Sequence, residues 1–139
     1  MEIETAENRF LLAGGTTGSL AILDLSVENQ KNLLCKAASK AKQRHGGTVT
    51  SVKWYERDSG LFVSSSNDAD VRLWDANRFL VVDKYTFVDG VGQIDFLCEL
   101  VAVAPKRVRH VSIVDIRTGS TSQTLRGHLA FVTCVKCPT

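Results

Sequence analysis

The segment His45-Gly46-Gly47-Thr48-Val49-Thr50-Ser51-Val52-Lys53 returns in register as His128-Leu129-Ala130-Phe131-Val132-Thr133-Cys134-Val135-Lys136, 83 residues further on. That distance is two periods of roughly 41 to 42 residues, and a period of this size means stacked units rather than one closed core. Between the two copies, Trp74-Asp75 is echoed 40 residues later by Val114-Asp115, with Arg117-Thr118-Gly119 following as a turn signal. Upstream, Leu11 to Leu25 repeats the order of Phe62 to Asp75: apolar run, small residues, turn, apolar run, Asp. A repeat constrains the fold more than composition does, because every unit must offer its neighbours compatible faces.

The best-formed unit centres on Val63 to Asp75. Two runs that favour extended backbone, Leu61 to Ser66 and Val71 to Trp74, flank the short Asn67-Asp68-Ala69-Asp70 turn, the composition of a β-hairpin. Val71, Leu73 and Trp74, and likewise Leu100-Val101-Ala102-Val103, run nearly continuously apolar rather than cleanly alternating, which predicts strands covered on both faces. At 4 to 7 residues, broken by Gly, Asp and Asn, they are too short for helices. The chain is therefore expected to be all-β.

The Trp74-Asp75 pair, the hairpin before it and His45 with Val49 upstream resemble a WD repeat, one blade of a β-propeller. The resemblance implies a partial WD40 propeller of about three blades, each an antiparallel four-stranded sheet, in an open ring. The expected division is 1–44 for an incomplete first blade with a basic insertion, 45–87 for the second, 88–127 for the third and 128–139 for the first strand of a fourth. Three blades cannot close a ring, so the chain is expected to be part of a longer propeller.

His45, Ser64 and Asp68 together spell a hydrolase constellation. Asp68, however, sits in a tight turn, and Ser64 lies in a strand without the glycines of a nucleophile elbow. In the WD-repeat resemblance, His45, Ser64, Asp68 and Trp74 form a structural tetrad instead, and mutual satisfaction of buried polar groups favours that reading. No catalytic residue is assigned, and a Ser/His/Asp hydrolase remains a remote alternative.

Cys134-x-x-Cys137 has the spelling of a redox or zinc half-site. On a strand, residues three apart point to opposite faces, and no second pair supplies the remaining ligands, so the thiols are read as structural and no metal or cofactor is expected. Gly14-Gly15-Thr16-Thr17-Gly18 lacks the Gly-Lys-Ser/Thr ending of a phosphate loop and precedes a strand, so it is read as a hairpin turn.

Two basic stretches stand out. The connection between Asp24 and His45 carries Lys31, Lys36, Lys40, Lys42 and Arg44 against Glu28, a net of +4 where the whole chain has +2. It is about 10 residues longer than its counterpart between the next two units, and its composition predicts an outer strand followed by a loop or one short helical turn. Lys106, Arg107, Arg109 and His110 occupy the turn of the third unit where the second has its Asp. Lys36, Lys40, Lys42, Arg44, Lys106, Arg107 and Arg109 are candidate partner contacts. Aromatics are not interleaved with them, which disfavours direct nucleic-acid binding.

Within the WD-repeat family, whole segments are similar to the substrate-recognition subunits of cullin-RING ubiquitin ligases that serve transcription-coupled nucleotide excision repair. These include Trp54-Tyr55 with Asp58 to Ser66, Arg9 to Gly15 with Leu23-Asp24-Leu25, Leu125-Arg126-Gly127-His128 and Cys35-Lys36-Ala37. This implies a non-enzymatic protein-interaction module, a DDB-type adaptor and repair factors as partners, a nuclear location, and Arg117 as an adaptor-docking residue. No small-molecule substrate or membrane is implied; no apolar run reaches about 18 residues, and the start of the chain carries no signal-peptide pattern, which predicts an intracellular protein. The alternative is a WD-repeat scaffold of an unrelated pathway, since fold alone does not give function.

Overall fold

A computed structural model describes residues 2–3, 10–24, 34–55, 60–97, 99–107 and 109–126. Three four-stranded antiparallel sheets follow one another, each with its strands in chain order. Blade one holds β1 (Glu2–Ile3), β2 (Phe10–Gly14), β3 (Leu20–Asp24) and β4 (Leu34–Ala38). Blade two holds β5 (Val49–Trp54), β6 (Leu61–Ser66), β7 (Asp70–Asp75) and β8 (Leu80–Thr86). Blade three holds β9 (Val91–Leu97), β10 (Leu100–Pro105), β11 (Val111–Asp115) and β12 (Ser120–Leu125). This is the all-β, partial-propeller architecture.

Blade one, expected to be incomplete, carries a short first strand in which Glu2 and Ile3 pair with Leu12 and Leu11. Two residues leave no periodic trace in a sequence. Of the basic connection, β4 and one 3-10 turn at Ala41–Gln43 are seen. The remainder of that connection (25–33), Cys98, and the segment 128–139 with Cys134 and Cys137 lie outside the described residues.

Each sheet bends at the same place. The pairing with the outer strand slips between Ile22 and Leu23, between Leu73 and Trp74, and between Ile113 and Val114. A bulge raises local twist, and its recurrence at the position of Trp74 gives the blades a common twist with which to nest.

The core lies between the sheets. Leu12, Leu20 and Ile22 of blade one meet Val52, Trp54, Phe62, Trp74 and Phe79 of blade two. Val63, Val71, Leu73 and Tyr85 leave the other face of blade two and meet Ile94, Phe96, Val101, Val103 and Val114 of blade three. Blade two is thus covered on both sides, and this is why its strands need no polar face. Phe62 stacks on Trp74 with ring centroids 5.6 Å apart and planes 8° apart, and Phe79 leans on both.

That ring packing holds an unusual backbone. Phe79 has φ 54° in the turn between β7 and β8, where the third blade places Gly119 at φ 71°. A bulky residue is costly in the left-handed region, and burial of the Phe79 ring offsets the cost.

The Gly-rich turn of blade one is a joint between blades. Gly15 and Gly18 carbonyls accept the backbone N–H groups of Val49 and His45, each at 3.0 Å, and the Thr16 carbonyl accepts the Thr48 hydroxyl at 3.1 Å. Gly18 is at φ 84°, and a Cβ there would overlap the His45 carbonyl oxygen. Gly18→Ala is therefore expected to destabilise the fold by on the order of 3 kcal/mol, combining left-handed strain with a backbone clash. Urea unfolding checks this; a loss under about 1 kcal/mol would show that the joint can open without cost.

Candidate functional site

The four residues singled out as a tetrad converge on the blade-one face of blade two. Ser64 on β6 and Trp74 on β7 face the same way because Phe62 pairs with Trp74 and Ser64 with Arg72. His45 arrives from the segment that follows the 3-10 turn, and Asp68 from the β6–β7 turn. His45 Nε2 lies 2.6 Å from Ser64 Oγ, and the indole N–H of Trp74 donates to the same oxygen at 2.9 Å. On the other ring edge, His45 Nδ1 lies 3.1 Å from Asp68 Oδ2.

The donors fix the proton positions. Asp68 is acceptor-only, so Nδ1 carries the hydrogen and Nε2 is left to accept from the Ser64 hydroxyl. Ser64 Oγ then has a lone pair for the indole. The chain Trp74 to Ser64 to His45 to Asp68 runs in one direction, every hydrogen used. Asp68 is completed by the backbone N–H groups of Gly46 at 2.8 Å and Asp70 at 3.0 Å.

Burial holds the His45 imidazole below its ordinary pKa, outweighing the nearby Asp68 carboxylate. For Asp68, burial pushes upward, but the N–H donors of Gly46 and Asp70 and then His45 overcome it and leave the carboxyl below its ordinary value. A second proton on His45 would oppose the Ser64 hydroxyl hydrogen, so the neutral ring is the fitting state.

This geometry has no room for catalysis by Ser64. The residue is fully buried, its hydrogen is committed to His45 and its lone pair to Trp74. A nucleophile must meet its substrate. Among the described residues no group of three or more His, Cys, Asp or Glu could hold a metal ion.

Sequence reasoning missed Arg72. Its Nη1 donates to the carbonyls of Gln43 at 2.8 Å and Arg44 at 2.7 Å, and its Nη2 pairs with Asp70 Oδ2 at 3.3 Å. Asp70 is completed by the Thr86 hydroxyl at 3.0 Å. Gln43 in turn accepts the Val81 N–H through its side-chain Oε1 at 2.9 Å. Arg72 and Gln43 thus pin the end of the basic connection to β7 and β8. The available signal was a guanidinium in the middle of the apolar run Val71-Arg72-Leu73-Trp74.

The candidate contact residues fall in separate places. Lys40, Lys42 and Arg44 are exposed beside the 3-10 turn, and Lys36 belongs to β4. Lys42, Arg72 and Lys84 surround a cleft of about 210 Å³. Lys106, Arg107 and Arg109 are exposed in the β10–β11 turn, with the Lys106 ammonium donating to Asn67 Oδ1 at 2.6 Å. Arg117 is 68% exposed at the β11–β12 turn and pairs with Glu99 and Asp115, each at 3.6 Å.

The family model of the WD40 repeat (WD domain, G-beta repeat) matches residues 39–75, the stretch that carries the whole tetrad. Residues 39–75 thus match one WD40 repeat. Along 92% of its length, the chain is 28% identical to the WD repeat-containing protein ATCSA-1 of Arabidopsis thaliana. It is 33% identical over 94 residues, 65% of its length, to Radiation-sensitive protein 28 of Saccharomyces cerevisiae. A third likeness, 32% over 88 residues and 60% of its length, is to the ribosome biogenesis protein ytm1 of Neosartorya fischeri. The chain spans 31%, 18% and 18% of those relatives.

Two expected outcomes test the tetrad. Ser64→Ala strands the indole N–H and should lower stability by about 1 to 3 kcal/mol in urea unfolding; no loss would mean that the network is not satisfied as described. The pH response is the second. With its folded-state pKa depressed below the unfolded value of about 6.5, His45 contributes stability that is full above that pH and declines as the pH falls through it. Unfolding midpoints measured from about pH 7.5 to about pH 5 should fall, and His45→Gln should flatten that part of the curve. An unchanged slope in the variant would sink the assignment.

Proposed function

We propose that the chain is a non-enzymatic interaction module of the Cockayne syndrome A type: a WD-repeat subunit that recognises substrates for a cullin-RING ubiquitin ligase in transcription-coupled nucleotide excision repair, in the nucleus. The observation that carries this is the likeness to ATCSA-1 along 92% of the chain. A second likeness, to a protein named for radiation sensitivity, points the same way. Its buried tetrad makes blade two a rigid support, so binding belongs to the exposed turns. In this reading Arg117 meets a DDB-type adaptor, exchanging its two solvent-exposed ion pairs, which are worth little on a surface, for contacts with the partner. Lys36, Lys40, Lys42 and Arg44 form a second contact region on the connection between the first two blades.

The competing reading is a WD-repeat scaffold of another pathway, and the resemblance to a ribosome biogenesis protein gives it a concrete form. Affinity purification of the full-length protein separates the two. The adaptor and a cullin are expected to co-purify, and Arg117→Glu should reduce the adaptor severalfold without changing expression. Recovery of ribosome-assembly factors with neither adaptor nor cullin would overturn the ligase reading.

A further inference from the structure

Between the outer strands of blades two and three runs a groove of about 350 Å³. One wall is the segment that leaves β8, with Phe87 and Val88; the other is blade three, with Pro105, His110 and Thr121. Phe87 is half-buried because it packs on the core cluster between the two blades. Val88 is 99% exposed, an apolar side chain standing in solvent on the wall of a groove.

The exposed residues flanking His110 on the groove are cationic. Arg107 and Arg109 are exposed in the turn that leads into His110. Arg126 is exposed directly after Leu125, and because Leu125 pairs with Val111, the register sets Arg126 beside His110. Arg107 is held with φ 56°, a left-handed conformation that fixes the direction of the turn tip. The nearby carboxylate of Asp89 accepts its neighbour's backbone, the Gly90 N–H at 2.7 Å. That of Asp70 is occupied by Arg72, Lys84 and Thr86.

We propose that this groove binds an extended acidic peptide segment of a partner protein, its apolar side chains against Val88 and Pro105 and its carboxylates toward Arg107, Arg109 and Arg126. The period of an extended chain supports the arrangement: alternate residues point to opposite sides, so alternating acidic and apolar positions meet the cationic turn and the apolar wall separately. Complementary charge steers such a segment to the site. A nucleic-acid backbone fits the cations, but the fully exposed side chain of the wall is the aliphatic Val88, which gives a base no ring to stack on. The inference rests on the chain being an interaction module and not on the ligase assignment.

Fluorescence anisotropy with a labelled ten-residue peptide alternating glutamate and leucine, titrated with the full chain, tests it. Binding should weaken as salt is raised. The double variant R107E/R109E should weaken it by about tenfold or more, and Val88→Asp should weaken it by a similar factor. Arg78→Glu, at the opposite end of blade two, should leave it unchanged, and circular dichroism of all three variants should match the parent. Absence of peptide binding would overturn the proposal. So would equal binding of a glutamine–leucine peptide, which carries no charge, or of a glutamate–serine peptide, which has no apolar side. Tighter binding of a thymidine decanucleotide, lost in the same variants, would overturn it in favour of nucleic acid. These readouts use the chain alone, so loss of the adaptor from the purified full-length protein would leave them unaffected.

Discussion

The hydrogen-bonded path from Trp74 through Ser64 and His45 to Asp68 ties together pieces that local sequence would leave separate. It fixes the segment leading into blade two against the β6–β7 hairpin, and it does so where Phe62, Trp74 and Phe79 bury their rings. Polar groups in such a place are costly when unpaired and directional when paired. The His45 segment is also where blade one attaches, through the carbonyls of Gly15, Thr16 and Gly18. One network therefore sets both the shape of blade two and the seat of blade one.

Arg72 extends this connection outward. By donating to the Gln43 and Arg44 carbonyls it satisfies backbone that the 3-10 turn leaves without partners, and its pairing with Asp70 keeps both charges neutralised at the blade edge. At the other face, the Thr50 hydroxyl donates to the Val91 carbonyl at 2.6 Å, so blade three also begins on a polar contact from blade two. Blade two is joined on both sides by hydrogen bonds to backbone carbonyls, with apolar side chains filling the space between.

What could be read from the sequence was what repeats. The strand class and the stacking of units follow from a period, whereas the grouping of His45 with Ser64, Asp68 and Trp74 comes from the resemblance to a WD repeat, favoured by the polar requirement of those residue types. What could not be read depends on the meeting of distant segments. The first strand is two residues long, below any pattern. The bulge before Leu23, Trp74 and Val114 is a matter of pairing, not composition. Phe79 in a left-handed conformation contradicts local preference and is tolerated only because its ring is buried. The role of Arg72 depends on the connection from blade one, whose Gln43 and Arg44 carbonyls it meets across 29 and 28 residues of chain.

The blades differ in how much of this polar scaffold they retain, and the difference bears on where binding can reside. Blade three has Val103 and Val114 facing blade two at the positions of Ser64 and Trp74, both buried among apolar neighbours. With no serine or indole to satisfy, the turn between β10 and β11 has no need of an acceptor carboxylate. In blade two that turn is fixed by Asp68, which has to receive Gly46, Asp70 and His45 at once. In blade three the same turn is free of that duty, and Arg107 and Arg109 stand there instead, exposed. Replacing a buried polar network with valines keeps the sheet packed while relieving its turn of the acceptor role, so the surface of this blade can be specialised for a partner.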